Sequence, residues 1–215
     1  MGDMESVTGD ILRNIKSGKD ISFDFLEDAD NYLLVAKLIS SFSNTQGGRI
    51  VFGVRENGKI NGVLPNEIID NVNELILVHQ LMDIVLTYKQ LKIERHLLVL
   101  CDVEIGNDKR AIELDGKPNY FIRIGGRSLL ANKIILRMWA MKMNSHLKIN
   151  ALDSSIVDVM AKKRVDSLSK LYKEFPLRNS DVDLSLSKLI FLNQIELHEK
   201  ENTIKYRLCS TKSLN

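Results

Sequence analysis

The feature that most constrains the fold is a helix that leads through a glycine turn into a buried strand. Asn44 to Gly48 is expected to end the helix, and Arg49 to Val54 has the apolar content of a buried strand. Asn57-Gly58 then favours a tight hairpin turn. The helix is indicated by apolar residues that recur at helical spacing: Leu33, Leu34, Val35, Leu38, Ile39 and Phe42. This segment is therefore predicted to join a helix to a hairpin.

Glycines beside a helix also occur in phosphate-binding loops, but there the elements come in the opposite order. A phosphate loop runs from a strand through the glycines into a helix, so that the helix N-terminal amides face the anion. Here Gly47 and Gly48 follow a helix and precede a strand, and no Lys-Ser/Thr pair comes after them. The nearest end of a helix dipole is therefore negative. We interpret the glycines as a helix C-cap and a close-packed turn, and expect no cofactor.

The periodicity of the remaining chain predicts an α/β (α+β) fold with a mixed sheet and flanking helices. Strands and helices alternate irregularly, which favours a mixed sheet over a doubly wound parallel one. The predicted helices are residues 6–17, 30–43, 65–79 and 129–143. The predicted strands, besides the hairpin, are residues 21–26, 84–93, 97–105, 111–114 and 120–124.

Beyond Asn144 the composition becomes helix-rich, which predicts a first domain of residues 1–144 and a second of residues 145–215. The second domain is expected to be helical and to end in a hairpin that runs from Ile195 to Leu208. Helices followed by a terminal hairpin resemble a small winged-helix domain. A helical appendage or a dimerisation arm would give the same pattern, so these alternatives stay open.

The composition indicates a cytoplasmic protein without a membrane span or a metal site. The chain has no apolar run of about 20 residues, and Met1 to Glu5 lacks the basic start of a signal peptide. Cys101 and Cys209 are too few and too far apart to indicate a disulfide framework. The histidines show no ligand spacing, so each is expected on the surface or in a satisfied hydrogen bond. They are His79, His96, His146 and His198.

The total formal charge of +2 is close to neutral, but one segment is strongly basic. Residues 117–152 contain no Asp or Glu but seven Lys and Arg residues. Contacts of Lys and Arg with phosphate supply most of the sequence-independent affinity for nucleic acids, so this segment is a candidate binding surface. Tyr120, beside this charge, could stack on a base. The alternative is that the helical cations cover a solvated face and that Arg123 pairs with a carboxylate. The basic residues are Lys117, Arg123, Arg127, Lys133, Arg137, Lys142 and Lys148.

Two ordered motifs resemble the Schlafen AlbA-type domain, a nucleic-acid-binding family. The stretch SSFSNTQGGRIVFGVRENGKINGV, residues 40–63, is similar to the central motif, and KPNYFIRIGGRSLLAN, residues 117–132, to a later Pro-Tyr-x-x-Arg-x-Gly segment. The resemblance covers about residues 1–143 and singles out Arg123 and Arg127. It also implies a structural turn formed by Asn44, Thr45, Gly47, Gly48 and Gly53.

The resemblance also implies a nuclease alternative, because some members of the family cut RNA with clustered carboxylates and metal ions. Their early motif approximates Glu-x-x-x-x-Glu-Phe-Lys. This chain keeps one carboxylate, Asp24, but has Lys19 in place of the first acid and Leu26 in place of the Lys. Whether Asp20, Glu27 or Glu56 completes a metal site with Asp24 is left open by the sequence.

The sequence therefore favours a non-catalytic nucleic-acid-binding protein, with DNA rather than RNA as its partner, that regulates transcription and could form a homo-oligomer. A nuclease with an altered acid cluster is the first alternative. A nucleotide-binding or protein-interaction module is the second. The predicted binding residues are Lys117, Tyr120, Arg123, Arg127, Lys133 and Arg137.

Overall fold

The computed structural model describes residues 2–141 and 147–209. Packing divides the chain into two compact units, Met1–Leu130 (unit 1) and Ala131–Asn215 (unit 2). The domain boundary predicted after residue 144 stays a prediction, and that residue lies outside the described part. In the described ranges, no helix is both long and apolar enough to cross a membrane.

The central sheet of unit 1 confirms the predicted mixed architecture. Four strands lie in the order β1-β2-β4-β3, with β1 parallel to β2 and the other neighbours antiparallel. The parallel pair requires a crossover, which the helix between the two strands provides. The strands are β1 (Phe23–Leu26), β2 (Gly48–Phe52), β3 (Leu86–Ile93) and β4 (His96–Val103).

Three helices cover this sheet: α1 (Gly2–Ser17), α2 (Tyr32–Asn44) and α3 (Pro65–Val78). Successive side chains of a strand point to opposite faces. Accordingly, Ile50 and Phe52 pack in the cluster that contains α2 and α3 residues, and Val51 packs in the cluster that contains α1 residues. Both faces of the sheet are therefore buried, which explains the continuous apolar run in β2.

The predicted hairpin after β2 is reduced to a single bridge between Val54 and Ile60. The tight turn is present, since the Gly58 N–H donates to the Arg55 carbonyl. A longer ladder is prevented because both edges of β2 are already paired, one with β1 and one with β4.

A second sheet in unit 1 is a three-stranded meander of β5 (Ala111–Leu114), β6 (Lys117–Ile124) and β7 (Arg127–Leu130). The helix predicted for residues 129–143 is wrong at its start, because Gly125, with φ of +55°, turns the chain back into a strand. Helix α4 (Lys133–Trp139) begins only after Asn132, whose side chain caps it by accepting from the Ile134 and Ile135 N–H groups. The end predicted at Met143 lies outside the described residues.

Unit 2 contains α4, three further helices and a hairpin around its own apolar core. Ile156, Leu171, Leu186 and Tyr206 meet in this core. The predicted terminal hairpin is confirmed, and its two-residue turn at Glu201–Asn202 has positive φ at both positions, as a twisted hairpin requires. The elements are α5 (Ala151–Lys163), α6 (Leu168–Glu174), α7 (Asn179–Phe191), β8 (Ile195–Lys200) and β9 (Thr203–Leu208).

Gly48→Ala is expected to destabilise unit 1, because the added Cβ would overlap the ring of Phe42. Overpacking of this kind costs about 1–3 kcal/mol. Gly9→Ala is the matched control, since no heavy atom lies within 4 Å of its added Cβ, and alanine at a helix position is favourable by about 0.5–1 kcal/mol. Urea unfolding of both variants measures the difference. Equal stabilities would show that the turn after α2 is not closely packed.

Candidate functional site

Asn44, the last residue of α2, is fully buried and connects that helix to the second sheet. Its amide Nδ2 donates to the carbonyls of Arg110 (2.8 Å) and Phe121 (3.0 Å), and its Oδ1 accepts from the Arg110 N–H (2.7 Å). The Thr45 hydroxyl oxygen accepts from the Arg123 N–H at 2.9 Å. The side chains of Asn44 and Thr45 thus join the end of α2 to β6 through direct hydrogen bonds to its backbone.

Glycines of the same motif occupy backbone conformations that other residues rarely adopt. Gly47 and Gly53 have φ of +75° and +104°, and a Cβ on Gly47 would lie 2.8 Å from the Val103 carbonyl oxygen. These bonds and conformations supply a physical basis for the structural turn that the sequence predicts at this motif.

Arg123 lies inside unit 1, with 1% of its side chain exposed. Its Nη2 is 2.7 Å from Asp24 Oδ2, and its Nε donates to the Asp20 carbonyl at 3.0 Å. The guanidinium also lies over the ring of Phe42, 4.8 Å from the centroid. Burial lowers the pKa of Arg123, and the charge of Asp24 acts in the opposite direction. The residue predicted to bind phosphate therefore bonds to β1 and the segment before it, as in the ion-pair alternative.

The second oxygen of Asp24 is held by Lys19. The Lys19 ammonium is 3.2 Å from Asp24 Oδ1 and 2.5 Å from Glu56 Oε2, and it lies 5.0 Å from the centroid of the Phe25 ring. The turn between β6 and β7 packs directly on this segment, because a Cβ on Gly126 would lie 2.6 Å from the Lys19 carbonyl oxygen. Lys19 and Arg123 together neutralise the one acid that matches the family motif.

The other candidate carboxylates are engaged separately. Asp20 Oδ1 accepts from the N–H and hydroxyl of Ser22, and Glu27 pairs with Arg55 at 2.9 Å. Across residues 2–141 and 147–209, no group of three acidic, histidine or cysteine side chains is arranged to hold a metal ion. A divalent cation does not fit at Asp24, because the Lys19 ammonium lies between the two carboxylates that would have to bind it.

The members of the predicted basic surface that belong to unit 1 lie along one strand or at its end. Lys117 begins β6 and Arg127 pairs with Ile124 at the other end of that strand, a separation of roughly 23 Å at about 3.3 Å per residue. Tyr120, between them, is half-buried. Lys117 and Arg127 therefore do not form one compact patch.

The helical members of the predicted surface belong to unit 2 and have protein partners. The Lys133 ammonium is 2.6 Å from Asp183 Oδ2 and lies over the ring of Tyr172. Arg137 Nη1 donates to the Ser180 carbonyl at 3.1 Å. Lys142, also part of the predicted run, lies outside the described residues. Lys133 and Arg137 are therefore each held by a partner within unit 2.

Charge is instead segregated between the two units. Unit 2 carries 15 Lys and Arg residues against nine Asp and Glu residues, a formal charge of +6. Unit 1 carries 15 against 19, a formal charge of −4. The near-neutral total conceals this contrast, and no acid-free run marks it because the acids and cations of unit 2 are interspersed along most of its sequence.

Comparison with known proteins identifies the region that contains this site. The sequence model of the family described as Schlafen, AlbA_2 matches residues 15–132, more than half of the chain. No curated protein has a matching sequence. The crystal structure of the DIP2311 protein from Corynebacterium diphtheriae is similar at 12% identity with a TM-score of 0.43, over 75% of this chain and 41% of that chain. The chain therefore spans less than half the length of that protein.

Arg123→Gln is expected to lower the free energy of unfolding by about 3–5 kcal/mol, because it leaves Asp24 buried without its closest cationic partner. Arg127→Gln, at an exposed position, is the matched control. It is expected to change the free energy of unfolding by less than about 1 kcal/mol. Urea unfolding measures both. A stable Arg123→Gln variant would mean that the buried pair is not a structural requirement.

Lys19→Ala is expected to uncover a cation site, because it leaves Asp24 and Glu56 without the ammonium between them. Manganese should then raise the Tm of the variant but not that of the unmodified protein, since a ligand that binds only the folded state stabilises it. Lys59→Ala, an exposed lysine of the same unit, serves as the control. An unchanged Tm with manganese would show that Lys19 does not exclude a cation.

Proposed function

Because the chain belongs to the Schlafen, AlbA_2 family, we propose that it binds nucleic acid without cutting it, and that it acts on DNA as a regulator of transcription. The family connects the chain with a nucleic-acid-related function. The proposal goes further than the family in three respects: unit 2 makes the contacts, DNA is the partner, and the nucleic acid is not cut. A separate feature of the chain supports each of these.

The charge of unit 2 carries the proposal. A net charge of +6 on 85 residues attracts a polyanion, and neutralised phosphates release counterions that drive binding. Unit 1, at −4, would repel the same polyanion. We therefore assign the phosphate contacts to unit 2 and a supporting role to unit 1.

The order of elements in unit 2 is compatible with the winged helix that the sequence suggests, and this supports DNA as the partner. The order is α5, α6, α7 and then the β8–β9 hairpin. Between α5 and α6, the Asp166 carbonyl accepts from the Tyr206 N–H at 3.0 Å, which ties the segment between these helices to β9. Three helices with such a small sheet are typical of winged-helix domains, in which the helices and the hairpin contact a duplex.

Helix α7, which would be the recognition helix in this arrangement, has little surface to offer. It is buried along most of its length, and its exposed residues are Asn179, Ser180 and Leu184. Base edges are read by side chains that enter a groove, whereas phosphate contacts carry no sequence information. Binding through phosphates is therefore the expected main source of affinity.

The non-catalytic part of the proposal is supported by the state of the carboxylates. Asp24 is bound by Lys19 and Arg123, and Glu56 is bound by Lys19. Metal-assisted cleavage requires carboxylates that are free to hold the ion. In this geometry the cations of the protein take those positions, which favours binding over the nuclease alternative.

Fluorescence anisotropy with labelled duplex DNA and with single-stranded RNA tests the proposal, with magnesium present and salt varied. We expect duplex binding that weakens steeply with salt, because counterion release demands a negative slope of log affinity against log salt. A gel of each probe after incubation is expected to show intact strands. No binding at micromolar protein would overturn the nucleic-acid assignment, and a shortened probe would overturn the non-catalytic one.

A further inference from the structure

The two edges of the central sheet in unit 1 differ. At β1, the Phe23 carbonyl accepts from the Asp20 N–H at 2.9 Å and from Arg123 Nη2 at 3.3 Å, so the outer side of that strand is occupied there. At the other edge, β3 is paired with β4 on one side, and no strand of the described ranges pairs with its outer side. An edge of this kind offers unpaired main-chain groups to another strand. We call it the open edge.

The pairing with β4 determines which main-chain groups of β3 point to the open edge. The Glu104 N–H donates to the Val85 carbonyl at 3.1 Å, which makes these two residues a hydrogen-bonded pair. Such pairs recur at every second residue of an antiparallel ladder, so the odd-numbered residues of β3 bond to β4. The even-numbered residues therefore direct their N–H and C=O groups outward. They are Leu86, Tyr88, Gln90 and Lys92.

Exposed apolar side chains lie beside the start of the open edge. Helix α3 follows β3, because the Tyr88 hydroxyl donates to Asn73 Oδ1 at 3.2 Å, and Leu77 is four residues further on the same side of that helix. Large apolar side chains that are exposed together mark interaction sites in soluble proteins. We refer to the residues at this end that are more than half exposed as the edge patch: Leu77, Met82, Val85 and Ile105.

We propose that the open edge pairs with the same edge of a second copy of this chain, which joins two four-stranded sheets into one continuous sheet. The groups of a free edge are complemented by the main chain of another strand. Two-fold symmetry allows identical edges to pair antiparallel in a closed dimer. The inference goes beyond the proposed function, because this pairing requires no nucleic acid.

The residues of β3 favour a register with the two-fold axis at Tyr88. An axis at Lys89 would place the lysines of the two copies directly opposite each other, and opposed like charges are destabilising. An axis at Tyr88 instead places Lys89 opposite Thr87 of the second copy and one tyrosine opposite the other. Aromatic pairs across a ladder are favourable. The pattern of the strand is therefore complementary to itself in this register.

The same register gives the edge patch a partner of matching chemistry. Lys92 of the second copy then lies opposite Ile84, at the end where the edge patch is located. Its aliphatic stem can cover apolar surface while its ammonium stays in water. Asp83, beside Ile84, has a side chain that is 69% exposed and is the nearest acid along the chain. Apolar cover and opposite charge are thus supplied by one residue of the second copy.

Sedimentation velocity of the full chain without nucleic acid tests the inference across protein concentration. The unmodified protein is expected to shift from the mass of one chain to that of two. Gln90→Pro removes an N–H that points to the open edge, and by symmetry two hydrogen bonds of the dimer, so association should weaken about tenfold or more. Gln90→Thr keeps this N–H and is the matched control, with association expected to equal that of the unmodified protein.

Thr87→Lys tests the register. It places a second lysine opposite Lys89 of the other copy, so the dimer is expected to dissociate at severalfold higher concentration. Within one chain, Thr87 pairs with Asp102 of β4, so the added cation does not oppose the fold of the monomer. Thr87→Gln, which adds length without charge, is the control and should leave association unchanged.

A third pair of variants tests the edge patch and serves if Gln90→Pro does not fold, which urea unfolding of each variant detects. Met82→Ser/Ile105→Ser is expected to weaken association. Ile21→Ser/Leu130→Ser also replaces exposed apolar residues of unit 1, but one precedes β1 and the other ends β7, so association should not change.

The outcomes keep this inference apart from the nucleic-acid assignment, because no nucleic acid is present. An unmodified protein that sediments as one chain at every concentration, or as more than two, would overturn the symmetric pairing. A dimer whose strength is the same in the folded edge, register and patch variants would place the contact elsewhere and overturn it as well.

Discussion

The buried pair of Arg123 and Asp24 is the interaction on which unit 1 depends. It joins β6 of the second sheet to β1 of the first, and the guanidinium also bonds to the backbone at Asp20 and packs on Phe42 of α2. A charge taken out of water is expensive unless it is paired, so each partner requires the other. The remaining oxygen of Asp24 is bound by Lys19, which extends the same network to Glu56.

The two units differ in how their cations are used. Of the two cations that the family motif places in unit 1, Arg123 is used to hold the fold together, whereas Arg127 is exposed. Unit 2 holds its helices with other ion pairs and still retains an excess of positive charge. In this arrangement the buried ion pair of unit 1 serves stability, and the exposed cations of unit 2 are available for binding. Exposed cations can be gained or lost at little cost to the stability of the core.

The sequence predicted most of the elements because they depend on local patterns. Helices α2 and α3 and the strands β3 and β4 follow from periodicity, and the hairpin turn at Asp115-Gly116 follows from its residue types. The start of the helix after Leu129 was missed because the glycine turn at Gly125 and the cap at Asn132 outweigh the helical spacing of the apolar residues.

Side-chain roles were less predictable, since they depend on partners that are distant in sequence. Nothing in the neighbourhood of Arg123 distinguishes a ligand contact from an ion pair with Asp24, which lies 99 residues away. The bridge from Lys19 to Glu56 is hidden for the same reason. The alternation of Ile204, Tyr206 and Leu208 predicts a strand, but the residues on which they pack are distant in sequence.

The buried amide of Asn44 has a consequence for how members of this family are compared. Its bonds to Arg110 and Phe121 are made to main-chain atoms, so they secure the join of helix and sheet regardless of the side chains that surround it. A motif of this kind diagnoses ancestry and architecture. Two proteins can share it fully and differ in chemistry, because selection on the scaffold acts independently of selection on whatever the scaffold carries.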